Sequence, residues 1–199
     1  MKKFEFTGET KTLLDGTVLH RIEALVRIEF GRMAVEIGEL GGWIEKENNL
    51  SHDGNAWVFR NAEVYGNAEV CGNAWVCGDA RVYGNAEVYG NAWVCDDARV
   101  CGDAIVCGNA EVYGNAEVFR MEHYLVMGPI GRRNAFTTFF RTKERNIKVV
   151  CGCFFGTIDE FLVKVKQTHG DSKHAKVYRA AVEVALAQLE DVERRNNYA

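Results

Sequence analysis

Along one third of this chain the apolar positions repeat with a period of six. From Gly54 to Phe119 the sequence is eleven copies of Gly-(Asn or Asp)-Ala-x-Val-x, with Arg60 and Asp96 the two replacements of the glycine. Ala and Val stand two apart, so on a short strand they share one face, while the residue between them and the residue after Val point the other way. Gly and Asn or Asp then supply a bend, because both tolerate backbone conformations that other residues resist. Each hexad therefore predicts a short strand plus a corner.

The outward positions carry a second, longer rhythm. Trp57, Trp75 and Trp93 recur at a spacing of eighteen, with Phe59, Cys77, Cys95 and Tyr113 in the column beside them. Three hexads then close one triangular coil, and eleven hexads make about three and a half coils. A prism filled by Ala and Val is narrow, and larger residues would overpack it.

The flanks do not repeat, and they predict caps for the open ends of the coil stack. Upstream, "TLLDGTVLHRIEAL" predicts a hairpin turning at Asp15-Gly16, and "LGGWIEKENNLSHDG" spaces Ile44 and Leu50 six apart, in phase with Ala56, as the start of the first coil. Downstream, "HYLVMG" predicts a strand, and "AFTTFFR" with "NIKVVCGCFF" a hairpin across "TKERN". Thr157 and Glu160 have capping-box spacing ahead of a helical stripe, Ile158, Phe161, Leu162 and Val165. Gly170 predicts the stop of that helix and Asp171 or Ser172 the cap of a second, running from about 172 to 194 with Val177, Ala181, Val184 and Ala187 or Gln188 along one side. The organisation expected is an N-terminal β cap and first coil over 1–53, a repeat body over 54–119 and a small α+β module over 120–199.

The repeat, as in "VYGNAEVCGNAWV", resembles the hexapeptide-repeat proteins that fold as a left-handed parallel β-helix, a mainly β fold with a triangular coil of eighteen residues. Left-handedness is implied by that resemblance and not by the period. The opening "LLDGTVLHRIEAL…ELGGWIEKENNLSHDGNAWV" and the close "GPIGRRNAFTTFFR…CGCFFGTIDEFLVKVKQTHGDSKHAKVY" look like segments of phage- and prophage-borne hexapeptide-repeat proteins, a group without firmly established chemistry. Many left-handed β-helix proteins are acyltransferases with a His general base between subunits.

Composition narrows the chemistry. A net charge of -4 and a pI near 5.8 argue against duplex nucleic acid as a partner. No run approaches membrane-spanning length. Of seven Cys, five (Cys71, Cys77, Cys95, Cys101, Cys107) recur at multiples of six inside the repeat, which predicts reduced thiols in a cytosolic protein. The five His (His20, His52, His123, His169, His174) all lie outside the repeat, so the coils lack an acyltransferase base or a three-His metal site. Cys151-Gly152-Cys153 has no second pair at ligand spacing. No catalytic residue, metal or cofactor is expected.

Three groups remain as candidates for recognition. The Trp57, Trp75 and Trp93 ladder with Tyr113 predicts an apolar face for a homotrimer contact, or for stacking on a base. In the next column Glu63 is placed to pair with Arg81 and Arg99 with Glu117, leaving Arg81 and Arg99 as a secondary anion site. The strongest candidate is "MGPIGRRNAFTTFFR": Gly131, Arg132, Arg133, Asn134, Thr137, Thr138 and Arg141 combine backbone donors, guanidinium forks and hydroxyls suited to phosphate, with Phe136, Phe139 and Phe140 as a stacking wall. The expectation is a non-catalytic trimer that sequesters a phosphate-bearing small molecule such as a cyclic nucleotide immune signal; an acyltransferase on acyl coenzyme A and a structural assembly protein are the alternatives.

Overall fold

The computed structural model describes residues 1–30 and 33–190. The chain opens with β1 (Phe4–Thr12) and β2 (Val18–Ala24), the expected hairpin about Asp15-Gly16, where Gly16 adopts φ +90° and Asp15 Oδ1 accepts the Thr17 N–H. A short hairpin, β3 (Ile28–Phe30) and β4 (Met33–Val35), and then β5 (Leu40–Ile44) lead into the repeat.

The eleven repeats become eleven two-residue strands. In chain order these are β6 (Trp57–Val58), β7 (Glu63–Val64), β8 (Glu69–Val70), β9 (Trp75–Val76), β10 (Arg81–Val82) and β11 (Glu87–Val88). Then follow β12 (Trp93–Val94), β13 (Arg99–Val100), β14 (Ile105–Val106), β15 (Glu111–Val112) and β16 (Glu117–Val118). Every strand pairs in parallel with the strand three hexads away, Trp57 facing Trp75, Trp75 facing Trp93 and Arg81 facing Arg99. Three parallel ladders result, β5-β7-β10-β13-β16, β8-β11-β14 and β6-β9-β12-β15. This is a parallel β-solenoid of about 4 turns with about 18 residues per turn.

All the repeat alanines and valines are buried and form one core. The corners are held by polar ladders: Asn67 Nδ2 donates to Asn85 Oδ1, which repeats toward Asp103, and Asn73, Asn91 and Asn109 do the same along a second corner. Stacked amides at the strand spacing satisfy one another as in other parallel in-register ladders. The corner glycines sit at φ near +70°, and the two replacements are forced into the same left-handed region, Arg60 at +54° and Asp96 at +60°. Asp96 offsets part of that strain, because its Oδ2 accepts the Gly114 N–H of the next coil.

One expectation of phase is corrected. Ile44 and Leu50 stand opposite Val64 and Val70, at separations of twenty, so they belong to the Val column and not the Ala column of Ala56. Two extra residues between Leu50 and Val58 make the difference, in the turn that holds Ser51, His52 and Asp53.

Downstream lies a four-stranded antiparallel meander, β17 (Tyr124–Ile130), β18 (Ala135–Arg141), β19 (Ile147–Cys151) and β20 (Phe154–Thr157). The stretch expected as one strand through Phe155 breaks at Gly152, whose φ is +60°. Two helices follow, α1 (Ile158–His169) with the expected reciprocal Thr157–Glu160 capping box and Gly170 stop, and α2 (Lys173–Glu190), whose Ala175 N–H reaches Ser172 Oγ. The expected end of the second helix at 194 lies outside the described residues. Its buried side is Ala175, Tyr178, Ala181, Val182, Ala185 and Leu189, whereas Val184, expected on that stripe, is exposed.

β18 explains how the module docks. Its alternation sends Thr138 and Phe140 toward the solenoid and Thr137 and Phe139 toward the helices: Phe140 joins the solenoid core and Phe139 packs with Phe161. The last coil has no further coil to pair with, and module side chains take its donors. Thr138 Oγ1 accepts the Glu111 N–H at 3.0 Å and Tyr124 Oη the Cys107 N–H at 3.4 Å.

Candidate functional site

The structure redistributes the residues singled out from sequence. Trp57 points away from the prism as expected, but the N-terminal cap covers it completely. Phe4 meets its ring edge-on at 6.4 Å, and a Cβ on Gly41 would come within 2.8 Å of Cζ2. Trp75 is 4% exposed, against Phe59 at 4.5 Å and Trp93 at 5.8 Å. Trp57 is thus cap core, Trp75 is covered with Phe59 and Trp93 against it, and neither indole offers a face to a subunit or a base. Trp93 is half-buried, and Tyr113, also half-buried, packs against the core.

The cation column resolves in a similar way. Arg81 Nε lies 3.2 Å from Glu63 Oε2, and Lys11 Nζ of the cap lies 2.9 Å from Glu63 Oε1. Arg99 forms no ion pair with Glu117 among the described residues. Arg81 is turned to Glu63, as its place in the column led one to expect, and stays the register neighbour of Arg99.

The Gly131–Arg141 segment does not converge on one point. Gly131, Arg132, Arg133 and Asn134 form the turn between β17 and β18, with Arg132 and Arg133 exposed and Asn134 at φ +49°. Arg141 closes the other end of β18, roughly 20 Å from Ala135 at about 3.3 Å per residue. Thr137 and Thr138 are fully buried; Thr137 Oγ1 contacts Cys151 Sγ at 3.2 Å, and Thr138 serves the last coil. Phe139 and Phe140 are buried as well, so of the expected aromatic wall Phe136 alone reaches solvent.

Two expectations about Cys and His also change. Cys77 and Cys95, adjacent in one column with Cα atoms 4.6 Å apart, are joined by a disulfide, where reduced thiols were expected; the coil spacing brings like positions within bonding reach. His52 is tied on both ring nitrogens: Nδ1 accepts the Lys3 N–H at 3.1 Å, Nε2 faces Glu47 Oε1 at 3.2 Å, and the ring stacks on Phe4. Lys3, buried beside it, is pushed down to about 8 by desolvation, which Asp53 partly opposes. His123 is buried against Phe119, and burial followed by the nearby Arg141 and Arg120 pushes it down to about 4. Among the described residues no group of three or more His, Cys, Asp or Glu is placed to hold a metal ion.

What the structure does assemble is a groove where the module overhangs the last two coils. It measures about 370 Å³ and is lined by Asn91, Trp93, Asn109 and Glu111 from the solenoid and by Phe136 and Gly152 from the module. Phe136 belongs to the solenoid-facing set of β18 but lies past the point where Thr138 and Phe140 are covered. Glu111 is the fourth member of the Trp column, directly below Trp93. Burial raises its carboxyl above the usual carboxylate range, and the adjacent Tyr113 hydroxyl acts in the opposite sense. Arg132 and Arg133 stand on the turn that leads into Ala135 and Phe136. The sequence carried one trace of this site, the break of the Trp column at Glu111. Asn91 and Asn109 looked like ordinary corner residues, and Gly152 like the middle of a strand.

The class of the molecule follows from the ladders: it is a β-solenoid repeat protein carrying a C-terminal α+β module. A family model described as the YdcK beta solenoid repeat matches residues 80–96, a stretch within coils two and three of the repeat. No curated protein matches the chain. No helix among the described residues is long and apolar enough to cross a membrane.

Proposed function

We propose that this protein is a non-catalytic binding protein that holds a nucleotide-type small molecule in the groove between its last coils and its C-terminal module, and so sequesters it. The observation that carries this reading is the mixture lining one groove: two aromatics, Trp93 and Phe136, for a base, and Glu111 and Asn109 for its edge; the exposed Arg132 and Arg133, on the turn that precedes Ala135 and Phe136 in the chain, are the cations we assign to phosphate. Base-stacking on aromatic side chains and guanidinium contacts to phosphate are the recurring chemistry of such ligands. The volume suits one nucleotide unit.

Binding is favoured over acyl transfer because His52, the His that immediately precedes the first repeat, already spends both ring nitrogens on Lys3 and Glu47. In the phage setting that the end segments resemble, the ligand would be a nucleotide signal of host defence.

The test is calorimetric titration and thermal shift with GMP, AMP, cyclic dinucleotides and acetyl coenzyme A, each ligand being recovered and weighed afterwards. A nucleotide at a hundred times its dissociation constant is expected to stabilise the protein by about 2.7 kcal/mol and to return with unchanged mass. Phe136→Ala and the double substitution Arg132→Ala with Arg133→Ala are each expected to weaken binding by about tenfold or more. Turnover of acetyl coenzyme A would replace this reading with the acyltransferase one.

A further inference from the structure

We infer that the groove selects a base presenting one acceptor beside two N–H donors, a guanine-type edge, through Asn109 and Glu111. This rests on the nucleotide reading above and concerns which base that site takes.

The corner ladder supplies the acceptor's partner. Asn73 Nδ2 donates to Asn91 Oδ1, and Asn91 Nδ2 donates to Asn109 Oδ1. With its amide oxygen turned to Asn91 and no further coil below, Asn109 ends the ladder with Nδ2, a two-proton donor, at the groove. Asn91, by contrast, has both ends of its amide engaged.

Glu111 supplies the acceptor side. Its backbone N–H is already held by Thr138 Oγ1, which fixes the residue against the module. Its carboxylate meets the Tyr113 hydroxyl and has no ion-pair partner among the described residues. A carboxylate offers two oxygens with about four acceptor sites, so one hydroxyl leaves acceptor capacity facing the groove. No cation neutralises it there, and a half-buried carboxylate gains most from N–H donors that the ligand brings.

Guanine places O6, N1–H and the N2 amino group along one edge, which matches an amide donor followed by a carboxylate. Adenine reverses the pattern, setting its N6 donor against the Asn109 amide protons and its N1 lone pair against the Glu111 carboxylate. Hypoxanthine keeps O6 and N1–H and lacks the second donor. A graded order therefore follows, GMP tighter than IMP and IMP tighter than AMP.

Titration calorimetry of the native protein with these three nucleotides tests the inference. GMP is expected to bind about tenfold or more tighter than AMP, the size of a charge-assisted hydrogen bond gained against a repulsion, with IMP between. Glu111→Gln is expected to bring GMP to within about threefold of AMP, while Phe136→Ala weakens all three alike; melting curves without ligand check that each variant is folded. Equal affinities for GMP and AMP in the native protein would overturn the base selection and leave nucleotide binding standing. Failure of all three to bind would overturn both. Should Glu111→Gln not fold, the native order of the three nucleotides decides alone.

Discussion

The two ends of the solenoid are closed in opposite ways. At the N-terminal end β1 and β2 add beyond β5 as antiparallel strands, so the cap prolongs one ladder past the first coil, and its side chains reach the lateral faces at Trp57 and Glu63. Outward residues of the first coils become core: Trp57 is fully buried and Glu63 is 7% exposed between Lys11 and Arg81. At the C-terminal end the ladder stops, apart from the single antiparallel bridge of Ala116 with Thr142, and a sheet is laid across the opening. Hydroxyls of Thr138 and Tyr124 take the coil's amides, and His123 plugs the space beneath Phe119. A cap that reaches down the lateral faces consumes surface, whereas end-on docking leaves the lateral face open and creates an overhang. The groove lies under that overhang.

The sharpest way to break this contrast is to truncate one Trp column at its two ends. Trp57→Ala should cost about 3–5 kcal/mol as a cavity in a packed core, and Trp93→Ala roughly 1–2 kcal/mol from lost burial, both measured by urea unfolding. Equal costs would show that the column is uniform and the caps are not different in kind. Trp57 keeps its indole N–H without a hydrogen-bond partner, which lowers its expected cost toward the smaller figure.

The second test is of the plug, through pH. In the folded chain His123 stays neutral down to about pH 4, while the unfolded chain takes up its proton near 6.5. Protons therefore bind the unfolded state more tightly, and stability falls as pH drops from 6.5 to 4 and levels off below, by at most about 3 kcal/mol for this group. His123→Phe should flatten that part of the profile relative to the native protein. A profile unchanged by the substitution would remove His123 from the account of the C-terminal end.

Much of this was legible from the period of the sequence. The hexads, the coil of eighteen, the Asp15-Gly16 hairpin, the Thr157 cap and the Gly170 stop each depend on residues close in sequence or repeated at fixed intervals. What period does not report is which outward faces a non-repeating segment will cover, so Trp57 read as surface. The groove was hidden for the same reason: Glu111 and Phe136 meet because the β18 alternation passes Thr138 and Phe140 under the module and leaves Phe136 at its rim. Thr137 and Thr138 read as ligand donors because a hydroxyl's partner, ligand or orphan amide, is decided by the fold.

A smaller effect probes the docking contact alone. Thr138→Val keeps the shape and removes the acceptor of the Glu111 N–H, for an expected loss of about 1–2 kcal/mol in urea unfolding. A value near zero would mean that water replaces the hydroxyl and that the module is held by Phe140.

The coil register has a consequence for how such a chain can change its length. Duplicating eighteen residues inserts one whole layer, about 4.8 Å thick, and returns the module to the same side of the prism with its groove intact. Losing six residues instead turns the module by about one third of a revolution, setting Phe136 over a face whose column holds no Trp. Descent with change of length is therefore quantised: variants that keep the pocket should differ by multiples of eighteen, and those that differ by six or twelve should have lost it.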